Sequence, residues 1–142
     1  SNIEIDMAKE ASLWALLKEH LPEEAHFQRI ETGGTGKGVP DVNYCHKGKE
    51  IWIELKSIEG LKSTLTPFQI AWIYNRYRSG GNAFILMRKI NTKKKQIKLF
   101  SPSQGLSLKE LGDLNWRTDS LVTLEIPYKW EELFEAIELY SD

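Results

Sequence analysis

The sequence predicts an α/β fold in which helices flank a mixed central sheet. The pattern of apolar and polar residues gives the order helix, three strands, helix, strand, which is typical of a sheet covered by helices. A length of 142 residues corresponds to one domain of ordinary size. A composition with 41% hydrophobic and 11% aromatic residues is sufficient for a hydrophobic core. One α/β domain is therefore expected.

The chain begins with a predicted helix over residues 6–21, which has Asp6 as its N-cap and stops before Pro22. A strand is predicted over residues 27–31. Residues 32–38 contain four glycines and predict a flexible loop.

A β-hairpin follows, with strands over residues 41–46 and 50–57 and a short turn at 47–49. The next helix, over residues 66–78, is closed by Gly80-Gly81. The remaining predicted elements are strands at 83–89 and 96–100, a short helix at 107–111, a strand at 121–126 and an amphipathic helix at 130–140. The apolar stripe of this last helix fits either its own sheet or a partner molecule.

Basic and acidic residues are unevenly distributed, although the formal net charge is only -1. Residues 60–109 contain ten basic residues and no acidic one, whereas residues 125–142 carry six acids against Lys129. The middle of the chain is therefore suited to binding a polyanion. The alternative for the lysine triplet 93–95 is a solvated hairpin tip.

Other features bound the cellular setting. The single cysteine, Cys45, cannot form an internal disulfide, which favours a reducing compartment. No segment approaches the roughly 18 apolar residues of a membrane span, and the start lacks a signal-peptide pattern. The sequence therefore predicts a cytoplasmic protein without membrane contact.

Two charged residues interrupt a very hydrophobic strand, in which residues 51–56 read Ile-Trp-Ile-Glu-Leu-Lys. Since side chains alternate along a strand, Glu54 and Lys56 share one face, and the aliphatic residues point into a core. Such charges are costly unless they face each other, a metal or a cleft. The pattern therefore predicts a functional site, and Asp41 begins the preceding strand.

Three motifs together resemble the PD-(D/E)XK nuclease superfamily. They are Gly36-Lys37-Gly38-Val39-Pro40-Asp41, Trp52-Ile53-Glu54-Leu55-Lys56 and Leu65-Thr66-Pro67-Phe68-Gln69-Ile70-Ala71-Trp72. Within the superfamily the chain is most similar to the virus-type replication-repair nuclease (VRR-Nuc) module of phages and DNA-repair nucleases. Nucleases of the RecB type carry a tyrosine four residues after the glutamine, where this chain has Ile73. This departure favours the VRR-type module.

The resemblance implies a single nuclease domain over residues 1–142, with a restriction-endonuclease-like core over about 6–100. Residues 101–142 are then a C-terminal extension with a strand and an amphipathic helix. The implied activity is metal-dependent hydrolysis of phosphodiester bonds in branched or structured DNA, in phage-type replication, recombination or repair. The alternatives are an inactive DNA-binding module with this fold and a two-carboxylate hydrolase of a small substrate.

The expected cofactor is Mg²⁺, with Mn²⁺ as a substitute. Mg²⁺ takes oxygen ligands, usually one or two carboxylates, and Asp41 and Glu54 are suited to that role. The resemblance adds the main-chain carbonyl of Leu55 as a ligand. It assigns to Lys56 the orientation or activation of the attacking water, or the stabilisation of developing charge. The structural alternative for Lys56 is an ion pair with Glu54 or Asp41.

Glu10 is the candidate from the first helix. Its spacing from Met7, Trp14 and Leu17 places it on the inward stripe of that helix. The resembling nucleases carry a glutamate on their first helix near the metal, so Glu10 is a candidate catalytic residue and a further metal ligand. The alternative is a solvated carboxylate at the edge of the stripe.

Gln69 has two explanations. Thr66-x-x-Gln69 with Pro67 is a complete capping box, which accounts for these residues structurally. The resemblance places Gln69 near the active site as a catalytic group. The candidate DNA-binding residues are Lys37, Lys62, Thr66 and Arg76. DNA is the expected partner, and a homodimer is attractive because two strands need two sites.

Overall fold

The computed structural model describes residues 12–31 and 36–142. Within these residues, six strands form one sheet in chain order. The strands are β1 (His26–Arg29), β2 (Val42–His46), β3 (Lys49–Ile58), β4 (Asn82–Lys89), β5 (Ile97–Phe100) and β6 (Val122–Leu124). The helices are α1 (Leu13–His20), α2 (Pro67–Arg78), α3 (Leu108–Gly112) and α4 (Trp130–Leu139).

The sheet is mixed because one of its neighbouring pairs is parallel. β3 and β4 run parallel and are connected by α2, whereas the other neighbouring strands are antiparallel. A parallel pair needs a crossover connection, which lays the connecting helix across one face of the sheet. The predicted mixed sheet flanked by helices is confirmed.

Hydrophobic residues fill the space on both faces of the sheet. On one face, α1 and α4 pack on a cluster that includes Val42, Tyr44, Ile51, Ile53, Phe84, Leu86, Ile97 and Leu99. On the other face, α2 and α3 pack on a cluster that includes Ile58, Ala83, Ile85, Met87 and Phe100. Alternation along β3 therefore directs Glu54 and Lys56 to the face that α2 covers.

The first described helix begins later than the sequence pattern suggests. Ser12 is extended (φ −65°, ψ 157°), and its hydroxyl accepts a hydrogen bond of 3.1 Å from the N–H of Ala15. This is an N-cap, so the helix begins at the next residue and Ser12 itself is not helical. The prediction of one continuous helix over residues 6–21 is therefore wrong, and its predicted N-cap Asp6 lies outside the described residues.

A tight turn fixes the register of the hairpin between β2 and β3. Lys47 (φ 52°) and Gly48 (φ 78°) are both left-handed, which is the signature of a type I′ turn. This turn pairs His46 with Lys49 and, at the other end of the hairpin, Val42 with Ile53. Asp41, the residue before Val42, is therefore level with Glu54, the residue after Ile53.

The remaining elements agree with the sequence pattern to within a few residues at each end. The helix at Pro67–Arg78, the short helix at Leu108–Gly112 and the last helix at Trp130–Leu139 occur where they are predicted. A short 3₁₀ turn at Pro102–Gln104 is additional. In the last helix, Trp130, Leu133 and Ile137 are buried against the protein's own sheet.

None of the helices in the described part of the chain is long and apolar enough to cross a membrane.

Candidate active site

Asp41, Glu54 and Lys56 come together at the edge of α2. Asp41 immediately precedes β2, and the hairpin register brings it level with Glu54 on β3. Lys56 lies two residues further along β3, on the same face. Gln69, in the first turn of α2, reaches Glu54 from above the sheet. The structure thus brings four of the predicted catalytic residues into one cluster.

Both carboxylate oxygens of Asp41 have partners. Oδ2 accepts a hydrogen bond of 2.8 Å from the main-chain N–H of Leu55. Oδ1 lies 3.2 Å from a guanidinium nitrogen of Arg29, which also donates to the Asp41 carbonyl oxygen at 3.1 Å. The Leu55 contact joins the start of β2 to β3, so the orientation of Asp41 depends on the hairpin itself.

Glu54 is a buried carboxylic acid with one unsatisfied oxygen. Its relative exposure is 2%, and Oε1 has no hydrogen-bond partner. Burial is the main reason that its pKa is raised to about 8, and the neighbouring Asp41 carboxylate raises it further. Lys56 acts in the opposite direction but does not outweigh these effects. Two carboxyl groups at one site without a cation between them therefore keep a proton at neutral pH.

The second oxygen of Glu54 is held by two side chains. The Lys56 ammonium lies 3.6 Å from Oε2, and the Gln69 amide nitrogen donates to the same oxygen at 3.2 Å. The Gln69 amide oxygen accepts from the main-chain N–H of Thr66 at 2.9 Å. One amide therefore closes the capping box of α2 and also holds the Glu54 carboxyl, so the capping role of Gln69 and its position beside Glu54 are compatible.

A glycine brings the loop before Asp41 against the start of α2. Gly38 has φ +84°, and a Cβ atom at this position would lie 2.3 Å from the carbonyl oxygen of Phe68. Only glycine permits this close approach of two backbone segments. The same contact zone contains Lys37, whose ammonium lies 5.1 Å from the centre of the Phe68 ring. The loop and the helix N-terminus thus form one rim of the site.

The donor set of this cluster fits a hard divalent cation. Asp41 and Glu54 supply carboxylate oxygens, one of them buried and unsatisfied, and their mutual repulsion would be relieved by a cation between them. Within residues 12–31 and 36–142, no group of three or more His, Cys, Asp or Glu side chains is arranged to hold a metal. A cation here would therefore rely on two carboxylates, main-chain oxygen and water, as Mg²⁺ commonly does.

Glu10, the fifth predicted catalytic residue, lies outside the described residues. Its assignment depends on a helical stripe that continues through Trp14. Because Ser12 is extended and caps the helix that follows, that spacing argument does not hold across Ser12.

The comparisons with known proteins identify the fold. No protein-family model matches the chain, and no curated protein matches it. Among solved structures, the chain resembles the 1.6 Å structure of Hjc from Archaeoglobus fulgidus, a Holliday junction resolvase from an archaeal hyperthermophile. The TM-score is 0.53 at 15% sequence identity, and the match covers 99% of each chain.

The fold is that of the restriction-endonuclease-like nucleases. The predicted fold class is therefore confirmed across nearly the whole chain, including the part after residue 100. In this fold the hairpin β2–β3 and the crossover helix α2 surround the carboxylate cluster. An identity of 15% describes the fold, and the chemistry has to be argued from the side chains.

The four candidate DNA-binding residues occupy different positions. Lys37 and Thr66 lie at the N-terminus of α2, where the Thr66 hydroxyl accepts from the N–H of Gln69 at 3.2 Å. Lys62 is exposed on the loop before α2 and pairs through its backbone with Asn115. Arg76 lies near the other end of α2, where its guanidinium stacks on two indole rings.

The ten basic residues between 60 and 109 do not form one continuous surface. Arg88 is buried with a relative exposure of 2%. Lys94 pairs with Glu125 at 3.7 Å, and Lys98 donates to the carbonyl oxygen of Trp116 at 2.9 Å. These three cations serve packing or local pairing, so a polyanion would have to be bound by the other basic residues of this segment.

Arg29 and Gly38 are the residues at the site to which the sequence pattern assigned no role. Arg29 reaches Asp41 because β1 pairs with β2 and sets Arg29 opposite Val42. Gly38 is needed by a contact with α2, thirty residues further along the chain. Gly38 could be identified in the sequence as the glycine before the Pro-Asp motif, but its contact with the Phe68 backbone could not be predicted.

Proposed function

We propose that this protein is a divalent-metal-dependent endonuclease that hydrolyses phosphodiester bonds in branched or structured DNA. Mg²⁺ is the expected cofactor and Mn²⁺ a substitute. The proposal goes further than the fold, because it assigns catalytic roles to Asp41, Glu54, Lys56 and Gln69. It keeps the main-chain carbonyl of Leu55 as a ligand and retains Glu10 as a further ligand.

One observation supports the proposal above the others: Glu54 is buried with one unsatisfied oxygen, and its carboxyl group lies beside a second carboxylate, Asp41. A buried carboxyl oxygen without a hydrogen-bond partner costs free energy that a purely structural site has no reason to retain. A divalent cation offsets this cost by satisfying Oε1 and neutralising both groups. When bound, such a cation polarises a phosphoryl oxygen and acidifies a coordinated water.

The chain's own side chains have distinct tasks in this scheme. Asp41 is pinned by the Leu55 N–H, so one carboxylate has a fixed direction before any ligand arrives. Gln69 holds the second carboxylate, Glu54, through Oε2 and leaves Oε1 directed elsewhere. Lys56 lies 3.6 Å from Glu54, only 18% exposed, where its ammonium can orient a water or stabilise charge on the phosphate.

Several finer features belong to the same proposal. Branched DNA is the proposed substrate because the structural neighbour is a Holliday junction resolvase. The VRR-type motifs support a phage-type role in replication, recombination or repair, in the cytoplasm of a bacterial host. A homodimer is proposed because two strands of a branched substrate would need two sites.

The decisive experiment is a cleavage panel on linear, nicked, flapped and four-way DNA. Cleavage is expected with Mg²⁺ or Mn²⁺ and not with EDTA. Asp41→Asn, Glu54→Gln and Lys56→Gln are each expected to lower the rate at least about a hundredfold. Glu50→Gln, an exposed substitution on the same strand, should cut normally. Folded wild-type protein that cuts none of the four substrates with either metal would exclude a nuclease.

A second candidate is a DNA-binding module that does not cleave, and the Arg29 contact favours it. The guanidinium occupies the Oδ1 side of Asp41 and places a positive charge where a cation would bind. Arg29→Gln is therefore expected to strengthen Mn²⁺ binding about fivefold, the scale of one exposed ion pair. Isothermal titration calorimetry with Mn²⁺ measures this change. Tight DNA binding without cleavage by both proteins would support the non-cleaving module.

A further inference from the structure

Arg76 is held in place on the same sheet face as the carboxylate cluster. Its guanidinium carbon lies 4.5 Å from the centre of the Trp72 ring and 5.4 Å from that of Trp52. The two indoles are themselves in contact, with ring centres 5.0 Å apart and planes inclined at 59°. The guanidinium therefore stacks in the angle between two aromatic rings, which restricts its rotation.

A glycine on the next segment makes room for the Arg76 stem. A Cβ atom added to Gly81 would lie 2.6 Å from Cδ and 2.8 Å from Cγ of Arg76. The N–H of Gly81 donates to the Arg76 carbonyl oxygen at 2.9 Å. The side chain is thus fixed by Trp52, Trp72 and Gly81 together, although it remains exposed to solvent.

Among the residues that the structure describes, the fixed guanidinium has no anionic partner. Within the described residues it makes no salt bridge or side-chain hydrogen bond, so its N–H donors are available. Glu50 lies two residues before Trp52 on the same face of the strand. Its carboxylate forms no ion pair with the Arg76 guanidinium. A cleft of about 540 Å³ adjoins the guanidinium and is lined by Trp72, Asn75, Arg76, Ser79, Gly80 and Gly81.

The cleft contains further donors that the fold does not use. The side chains of Asn75 and Ser79 line it and make no hydrogen bond within the described chain. A helix C-terminus normally disfavours anions. Here the N–H groups of Ser79, Gly80 and Gly81 cap the carbonyl oxygens of the last turn. An anion in the cleft would therefore contact the side-chain donors of Asn75 and Ser79 and the positive charge of Arg76.

We propose that Arg76, stacked on Trp52 and Trp72, forms a subsite for one backbone phosphate of the DNA strand, remote from the bond that is cut. The inference rests on the proposed nuclease function and adds a specific contact to it. Planar guanidinium groups suit phosphate, because two N–H donors can bind two oxygens at once.

The geometry gives the spacing between this phosphate and the cluster. Arg76 follows Gln69 by seven residues, which is about 10 Å along α2 at 1.5 Å per residue. A separation of this size spans only a few nucleotides of one strand, so the bound phosphate and the cleaved bond would lie on the same short segment. The subsite would hold the strand in register with the cluster.

Arg78 provides a matched control. It lies in the same last turn of α2 and stacks on Tyr74 instead, with its guanidinium carbon 5.9 Å from the ring centre. Arg76→Gln and Arg78→Gln remove the same charge from the same helix. Comparing them separates a placed phosphate contact from a general electrostatic effect.

The test measures binding of a fluorescent four-way DNA junction by anisotropy in EDTA, so that cleavage does not interfere. Arg76→Gln is expected to weaken binding about tenfold at low salt and to reduce the slope of log K against log salt by about 0.9. Arg78→Gln should change affinity less than about twofold. Gly81→Ala retains the charge but displaces the stem, so it should resemble Arg76→Gln.

Neutral methylphosphonates placed singly along the strand identify the phosphate. At one position, within a few nucleotides of the cleaved bond, the modification should weaken wild-type binding but not that of Arg76→Gln. Equal losses for Arg76→Gln and Arg78→Gln, spread over all positions, would overturn the inference while leaving the nuclease function intact. Wild-type protein that binds no DNA would overturn both proposals.

Discussion

At the scale of single residues, Glu54 carries a conflict between folding and chemistry. Its position on β3 is buried by the fold, and its side chain is an acid that lies beside a second acid, Asp41. The folded protein accommodates this by retaining a proton on Glu54, whose pKa is raised to about 8. A group in this condition makes stability depend on pH, and the sign of that dependence can be worked out.

In the absence of metal, the stability of the protein is expected to fall as pH rises from 5 to 8. The unfolded glutamate ionises near pH 4.5, whereas the folded one stays protonated to about pH 8. The stabilisation from the protonated Glu54 is therefore complete below pH 4.5, and about 4 kcal/mol of it is lost by pH 8. Urea unfolding in EDTA at several pH values measures the free energy of unfolding.

Glu54→Gln isolates this effect, because it removes the titrating group and keeps the shape of the side chain. Its stability should be nearly flat over the same range, while Glu50→Gln should follow the wild type. Adding Mg²⁺ should stabilise the wild type more at pH 8 than at pH 5, since the cation competes with the proton. Equal pH slopes for wild type and Glu54→Gln would contradict the raised pKa.

At the scale of secondary-structure elements, the start of α2 has two tasks. The Thr66–Gln69 capping box satisfies backbone groups of the helix, and Gln69 also donates to Glu54. The two tasks can be separated because Thr66 takes part only in the first. The same helix end meets the loop before Asp41 at Gly38, so three segments converge there.

Thr66→Ala and Gln69→Ala are expected to differ in activity but not in stability. Each removes part of the capping box and should lower the free energy of unfolding by about 1 kcal/mol. Only Gln69→Ala releases Glu54, so its kcat/KM for DNA cleavage should fall at least about tenfold, against less than about threefold for Thr66→Ala. Similar activities for the two variants would reduce Gln69 to a capping residue.

Gly38→Ala is expected to disrupt the site, with Gly48→Ala as its control. Both glycines have positive φ, +84° and +78°, so both alanine variants have the same kind of backbone strain of about 1 kcal/mol. A Cβ at Gly38 also collides with the Phe68 backbone, whereas nothing lies within 4 Å of one at Gly48. Cleavage should be lost in Gly38→Ala and retained in Gly48→Ala. Normal cleavage by both variants would show that the loop–helix contact does not position Asp41.

At the scale of the whole molecule, the features that could be predicted from the sequence are those that depend on local periodicity and short motifs. Strand alternation placed Glu54 and Lys56 on one face, and the Thr-Pro-x-Gln pattern located the start of α2. The pairing of Arg29 with Asp41 depends on strand register, and the Gly38 contact depends on tertiary packing, so neither has a local signal. The predicted helix ran through Ser12 because its hydrophobic period continues there, although a serine competes as a cap and the structure has a cap at this residue.

The sequence also treats the last forty residues as an extension of the nuclease core, yet they take part in the same sheet. β6 pairs with β5, and α4 shares one hydrophobic cluster with α1. A segment that fills the core on the face opposite the carboxylate cluster should be required for folding rather than for a separate task. Two leucines on α4 provide a direct test.

Leu133→Ala is expected to lower the free energy of unfolding by about 3 kcal/mol, because this side chain is fully buried and its removal leaves a cavity. Leu139→Ala, on the same helix but 78% exposed, should change stability by less than about 0.5 kcal/mol. Urea unfolding followed by tryptophan fluorescence measures both. An independent extension would show a separate early transition for Leu133→Ala with the main transition unchanged. A single transition shifted to lower urea would mean that α4 stabilises the whole sheet, including the strands that carry the carboxylates.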